Sequence, residues 1–176
     1  LLKSEFQEGQ HWLIYCDTES MMNELANLIK KTTEIKPRNY WSGMDRFERK
    51  SELDFFKRNG GVIIAIKCLD EGVDVPAISH GIVLSSSKTK REWIQRRGRL
   101  LRKSEGKDKS VIHDVLALPS SSGEELSFVA DEVKRAQEFS ESCINSITVT
   151  YDIEKICRHY NINIEETVDD KESFDE

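Results

Sequence analysis

Apolar residues along this chain follow two rhythms. Trp12-Leu13-Ile14-Tyr15-Cys16 and Gly61-Val62-Ile63-Ile64-Ala65 are short unbroken runs bounded by polar or glycine-bearing turns. Such runs, rich in β-branched and aromatic residues, predict strands buried on both faces. His80-Gly81-Ile82-Val83-Leu84 and the segment Lys109 to Leu116 predict two more strands, and Tyr40-Trp41-Ser42-Gly43 a short one with a Ser-Gly exit. Between the runs the spacing changes to three and four, with Met22, Leu25, Ala26 and Ile29 sharing one helical face. Asp45 stands where it caps a second helix burying Phe47, Leu53 and Phe56, which Asn59-Gly60-Gly61 brings to a stop. A short helix is expected over Thr89 to Arg97. Strands alternating with helices predict an α/β fold whose mostly parallel sheet is covered on both faces.

Past Pro119 the pattern shifts. Ser120-Ser121-Ser122-Gly123 reads as a loop, and residues 124–144 as one long amphipathic helix with Phe128, Val133 and Phe139 as its buried stripe. Ile153, Ile156, Cys157 and Tyr160 predict a final short helix. Glu165 to Glu176 is acidic and poor in apolar residues, which predicts disorder. The expected organisation is therefore an α/β domain over residues 1–119, a helical extension packed on it over 120–164, and an acidic tail over 165–176.

A chain of 176 residues with 38% hydrophobic and 33% charged residues can bury a real core. No apolar run reaches membrane-spanning length, and Leu1-Leu2-Lys3-Ser4 does not begin a signal peptide. The lack of an initiating Met predicts an excised fragment. Cys16, Cys68, Cys143 and Cys157 are scattered without a Cys-x-x-Cys spacing, which argues against a zinc site and for reduced thiols in a cytoplasmic protein. His11, His80, His113 and His159 are dispersed and read as structural or surface residues. Trp12, Trp41 and Trp93 read mainly as core, with Trp41 the one candidate for base stacking.

The net charge of −6 hides an asymmetry. Residues 1–85 carry 11 Lys+Arg against 13 Asp+Glu, residues 86–110 carry 10 against 3, and residues 111–176 carry 5 against 16. The basic block, +7 by itself, contains Gln95-Arg96-Arg97-Gly98-Arg99-Leu100-Leu101-Arg102. Four guanidiniums in eight residues cannot all enter a core, because isolated buried charge is prohibitively costly. Arg presents a planar fork that fits phosphate oxygens two at a time, so some of these side chains are expected to meet phosphate. Upstream, Ala65-Ile66-Lys67-Cys68-Leu69-Asp70-Glu71-Gly72-Val73-Asp74-Val75-Pro76 takes the end of a buried strand into a tight acidic loop. Open α/β sheets place ligand chemistry at such strand ends.

Together the two segments resemble motifs V and VI of the superfamily-two helicases and translocases: a Glu-Gly-hydrophobic-Asp-x-Pro loop followed by Gln-x-x-Gly-Arg-x-x-Arg. The match covers roughly residues 10–118. In that family two RecA-like domains flank an ATP site and nucleic acid lies across both. No Gly-x-x-x-x-Gly-Lys-[Ser/Thr] is present, so the resemblance is to the second domain, a RecA-like three-layer sandwich. Glu71 and Gln95 bring the wording closer to repair- and restriction-type DNA helicases than to DEAD-box RNA helicases.

The resemblance implies roles residue by residue. Arg99 and Arg102 match the arginine fingers that stabilise charge spreading over the γ-phosphoryl oxygens, and Gln95 matches the position that orients the terminal phosphate or attacking water. Asp74 matches the residue that engages the ribose, and Gly72 and Gly98 complete the nucleotide-facing set. The cofactor implied is ATP with Mg²⁺, the metal held mainly by the other domain. Ser42 and Gly43 match a motif whose backbone amides approach a strand phosphate. Thr18 and Ser85 are further candidates for nucleic-acid contact, each equally readable as a turn hydroxyl serving local backbone. Ile66 stands where many relatives place a phosphate-bonding Thr or Ser, and Lys67 beside it supplies a point charge instead. The partners implied are DNA, with RNA not excluded, and an N-terminal RecA-like domain of the same protein. The isolated chain is expected to be inactive as an ATPase. The competing expectation is a non-catalytic RecA-like module that binds nucleic acid or protein.

Overall fold

Strand β1, His11–Cys16, lies at the middle of a five-stranded sheet. Its neighbours are β3, Gly61–Ile66, and β4, His80–Val83; β2, Arg38–Tyr40, flanks β3, and β5, Val111–Asp114, flanks β4. All four pairings are parallel, with β1 and β3 in register from His11 opposite Gly61 to Cys16 opposite Ile66. The structure, a computed structural model, describes residues 1–66, 78–84, 98, 100–102, 107–119 and 126–163. Its chain divides into two compact units, Leu1–Val115 and Leu116–Glu176.

Successive strand side chains point to opposite faces, and here both faces are buried, which is why the runs are apolar without alternation. Leu13, Tyr15, Ile63, Ala65 and Val83 line one face with Phe56 of helix α3, Arg46–Asn59. Trp12, Ile14, Cys16, Val62, Ile64 and Ile82 line the other. Met22, Ala26 and Ile29 of helix α2, Glu19–Thr32, cover that second face. A four-residue helix α1, Leu2–Glu5, adds Leu2 to it, and Phe6 tilts against Trp12. The expected α/β sandwich with a parallel sheet is therefore the fold observed.

Local signals set the helix ends. Thr18 caps α2 by accepting from the Met21 amide at 3.2 Å, and Asp45 caps α3 by accepting from the Phe47 amide at 2.7 Å. Gly60 ends α3 at φ +71°, a conformation that costs other residues a Cβ clash. A Cβ there would also stand 2.6 Å from the Gln10 carbonyl oxygen.

Several expectations are corrected. The short strand is Arg38–Tyr40 and ends before Trp41, because its extent is set by pairing with Ile63 to Ala65 of β3. Phe47 is 83% exposed. It lies nine residues before Phe56, roughly two and a half helical turns, and so faces the opposite way. The strand expected over Lys109 to Leu116 is confined to Val111–Asp114. The expected helix over Thr89 to Arg97 and the acidic tail lie outside the described residues.

Three of the four histidines belong to the sheet's packing, His11 through an edge-on contact with Phe56 at 5.1 Å. His80 stacks on Trp12 at 4.2 Å and His113 lies parallel to the same indole at 5.7 Å. Glu5 stands 3.6 Å from His113. Burial lowers the His80 pKa; the neighbouring His113 lowers it further, and Glu5 works the other way.

In the second unit, helix α4, Leu126–Ser140, packs on helix α5, Ser146–Tyr160. Val129, Val133 and Ala136 meet Ile153, Cys157 and Tyr160, and the Tyr160 hydroxyl donates to the Pro119 carbonyl. Val129, not Phe128, begins the buried stripe, since four residues separate Val129 from Val133 whereas Phe128 stands five away and is exposed. The expected short last helix is as long as α4, and α4 itself stops at Ser140 rather than running on to residue 144. Glu132 is buried on α4 and paired with Arg135 at 3.1 Å.

Candidate nucleotide and nucleic-acid site

Because every strand is parallel, all five release the chain at one edge of the sheet. Thr18 follows β1 and Ser42-Gly43 follows β2, so both candidate loops stand along that edge. Thr18, Ser42 and Gly43 are all exposed. The Thr18 hydroxyl oxygen already serves the α2 amide, which is the local-backbone reading of this residue. β3 ends at Ile66 and β4 at Val83, shortly before Lys67 and Ser85 respectively. Lys67, Gly72, Asp74, Ser85, Gln95 and Arg99 lie outside the described residues.

The Ser42-Gly43 loop is shaped from within. Trp41 packs against the cluster formed with Trp12 and Met22, and its indole covers the position a Cβ on Gly43 would take. That Cβ would stand 2.1 to 2.8 Å from three ring atoms. A side chain at 43 would thus displace the chain's own tryptophan, whatever approaches from outside. The Met44 amide donates back to the Trp41 carbonyl at 3.3 Å and closes the turn.

The arginine motif is anchored by a different residue. Leu100 is 1% exposed and joins the core formed by Leu13, Val83 and Ile78. Its methyls press on β4 where Gly81 leaves room: a Cβ there would stand 2.6 Å from each of them. Gly98 and Arg102 on either side are exposed, and a Cβ on Gly98 would meet nothing within 4 Å. One apolar anchor therefore sits between Gly98 and Arg102, both of which stay at the surface.

The anchor is also held by its backbone. Lys107 Nζ donates to the carbonyls of Leu100 and Arg102, each at 2.8 Å. Ser110 Oγ donates to the same Leu100 oxygen at 2.7 Å. Burial lowers the Lys107 pKa from the ordinary lysine value. Neither residue stands out in the sequence, since Lys107 is one of ten cations in the basic block and its acceptors are main-chain atoms. No group of three or more His, Cys, Asp or Glu side chains is arranged to hold a metal among the described residues.

The helicase conserved C-terminal domain matches residues 1–104. The DNA 3'-5' translocase XPB2 of Sulfurisphaera tokodaii is 42% identical over 91 residues, which cover 51% of this chain and 19% of the relative. The yeast DEAD-box splicing factor Prp28 superposes with a TM-score of 0.64 over 89% of this chain and 32% of its own, at 20% identity. The C-terminal domain of the DEAD-box protein Dbp5 superposes at 0.55 over 74% of this chain and 71% of its own, at 18% identity. At those identities the two structures show a shared fold, and the chain spans about a fifth of the translocase it matches.

Proposed function

Since the chain belongs to the helicase conserved C-terminal domain family, we propose that it is the second motor domain of an ATP-dependent DNA helicase or translocase. It shares an ATP site with an N-terminal RecA-like domain. The single observation that carries this reading is the seating of the arginine motif. Buried Leu100 commits the segment to a fixed place on the domain while Gly98 and Arg102 stay at the surface. A backbone anchored this way would offer its arginines as preorganised donors, the property charge stabilisation in phosphoryl transfer demands.

In this reading Arg99 and Arg102 meet the γ-phosphoryl oxygens, Gln95 orients the terminal phosphate or attacking water, and Asp74 engages the ribose. Gly98, with open space where a Cβ would stand, permits close approach of the nucleotide. Mg²⁺ supplies neutralisation of phosphate charge when bound. In this reading the metal is held mainly by the other domain. Ser42, Gly43 and Thr18, with Lys67 and Ser85, face the nucleic-acid backbone from the strand ends. The DNA assignment leans on the likeness to the translocase XPB2; the likeness to DEAD-box structures keeps RNA as a comparison substrate.

The test is ATP turnover by the protein with both motor domains present, assayed with DNA and with RNA. Arg99→Ala and Arg102→Ala should each lower turnover about a thousandfold with folding intact. The chain of 176 residues alone should hydrolyse nothing measurable. Wild-type turnover in both variants would leave the non-catalytic binding module as the better description.

A further inference from the structure

We propose that Lys107 is a positioning residue for the arginine motif. It acts by clamping the carbonyls of Leu100 and Arg102 and so fixing where the flanking guanidiniums stand. The inference rests on the reading that these arginines meet the phosphates of ATP.

Gly98 and Leu100 are helical and Leu101 begins a turn. Leu100 is therefore a helical residue at the start of a turn, where a carbonyl lacks a partner within the helix and carries partial negative charge. Lys107 Nζ bonds this helical carbonyl of Leu100 and, past the turn, the carbonyl of Arg102, each at 2.8 Å. Ser110 fills the second lone pair of the Leu100 oxygen at 2.7 Å. The next residue, Val111, opens β5, and its amide donates to the Ser79 carbonyl at 2.9 Å. Through Ser110 the turn after the motif is thus tied to the sheet.

Leu100 is consequently fixed from two sides, by its methyls over Gly81 and by its carbonyl under Lys107 and Ser110. The apolar contact sets the depth of the segment. Directional hydrogen bonds are needed to set its rotation, because a leucine alone can turn about its own axis in a pocket. Arg99 is bonded directly to Leu100 and Arg102 follows two residues later, so a small rotation at Leu100 moves both guanidiniums. A misplacement of about 1 Å in a catalytic constellation costs on the order of a hundredfold in rate.

The experiment measures ATP turnover in the protein carrying both motor domains, for wild type, Lys107→Met, Lys107→Arg, Ser110→Ala, Arg102→Ala and the Lys107→Met/Arg102→Ala pair. Lys107→Met keeps the stem and loses the donors. It should lower kcat about tenfold or more, with KM for ATP and the melting temperature close to wild type. Lys107→Arg, which can still donate to two carbonyls, should recover most of the loss. In the Arg102→Ala background Lys107→Met should do less, because Arg99 alone is left for it to position. If Lys107→Met unfolds the domain, Ser110→Ala serves as the milder variant and should lower kcat about threefold by removing one of the three bonds. Wild-type kcat in both Lys107→Met and Ser110→Ala, with Arg102→Ala impaired, overturns the clamp and spares the finger reading. An undiminished Lys107→Met loss in the Arg102→Ala background also overturns the clamp. Full activity in Arg99→Ala and Arg102→Ala overturns the finger reading and the clamp with it.

Discussion

Adding one methyl at Gly81 asks how closely the arginine motif is seated on the sheet. A Cβ at this position would stand 2.6 Å from both Leu100 methyls and 3.1 Å from its Cγ. Favourable carbon contacts lie at about 3.5–4.0 Å, so both methyls would have to retreat by about 1 Å. Leu100 has no solvent to retreat into, since it is buried among Leu13, Ile78 and Val83 with Ile112 alongside. Overpacking of this kind costs about 1–3 kcal/mol, which on a chain of this length lowers the melting temperature by roughly 2–12 °C. Leu100→Val withdraws one methylene and by itself should cost about 1 kcal/mol. If the two side chains share one space, the double variant should be less destabilised than the sum of the singles by about 1 kcal/mol or more. Urea denaturation of the four proteins measures all the terms of this cycle. A Gly81→Ala protein that unfolds at the wild-type midpoint, or strictly additive variants, would refute the packing of Leu100 on β4.

Gly43→Ala should force the Trp41 indole off its seat, since the added Cβ would lie 2.1 Å from the ring; a red-shifted tryptophan emission and weaker nucleic-acid binding are expected, and unchanged emission would speak against it. Stability should also depend on pH through His80. Its pKa is lowered in the folded state, chiefly by burial, so the unfolded chain takes up the proton first as pH falls. The stability it contributes is full above the ordinary histidine value of about 6.5 and is lost as pH drops through it toward the folded value. His80→Phe keeps a ring on Trp12 and removes the titration, so stability between about pH 7.5 and 5 should fall less steeply than in wild type; parallel profiles would exclude His80 as a contributor.

The parts of the fold legible in the sequence are those in which one local pattern decides the outcome. Trp12 to Cys16 and Val62 to Ala65 read as buried strands because both of their faces are covered, leaving no polar position to confuse the period. The α2 stripe and the caps at Asp45 and Gly60 are equally local. The failures share a cause. Phe47 and Phe128 are large and apolar, and size suggested burial, but helical phase places them away from Phe56 and Val133. At Arg38–Tyr40 the limits of the strand come from its partner β3, which no reading of residues 38–43 alone contains. Lys107 escaped notice for a further reason: its acceptors are main-chain carbonyls, which every residue possesses, so no side-chain pattern announces the contact.

The described loops of the candidate site are each braced from beneath by a residue whose own reason for being there is packing or capping. Trp41 belongs to one core face and supports Gly43, Leu100 belongs to the other and carries the arginine motif, and Thr18 holds the start of α2. Loops placed this way spend little conformational entropy on meeting a ligand, because the sheet has already ordered them. The glycines at 43 and 81 are the counterpart of this bracing, since each is the gap into which a core side chain fits. Under the proposed function, the geometry of the candidate site would be set as much by Trp41, Gly81, Leu100 and Lys107 as by the polar residues the motifs single out. Substitutions in the first group should therefore change how well the second group is aligned before they change whether the domain folds.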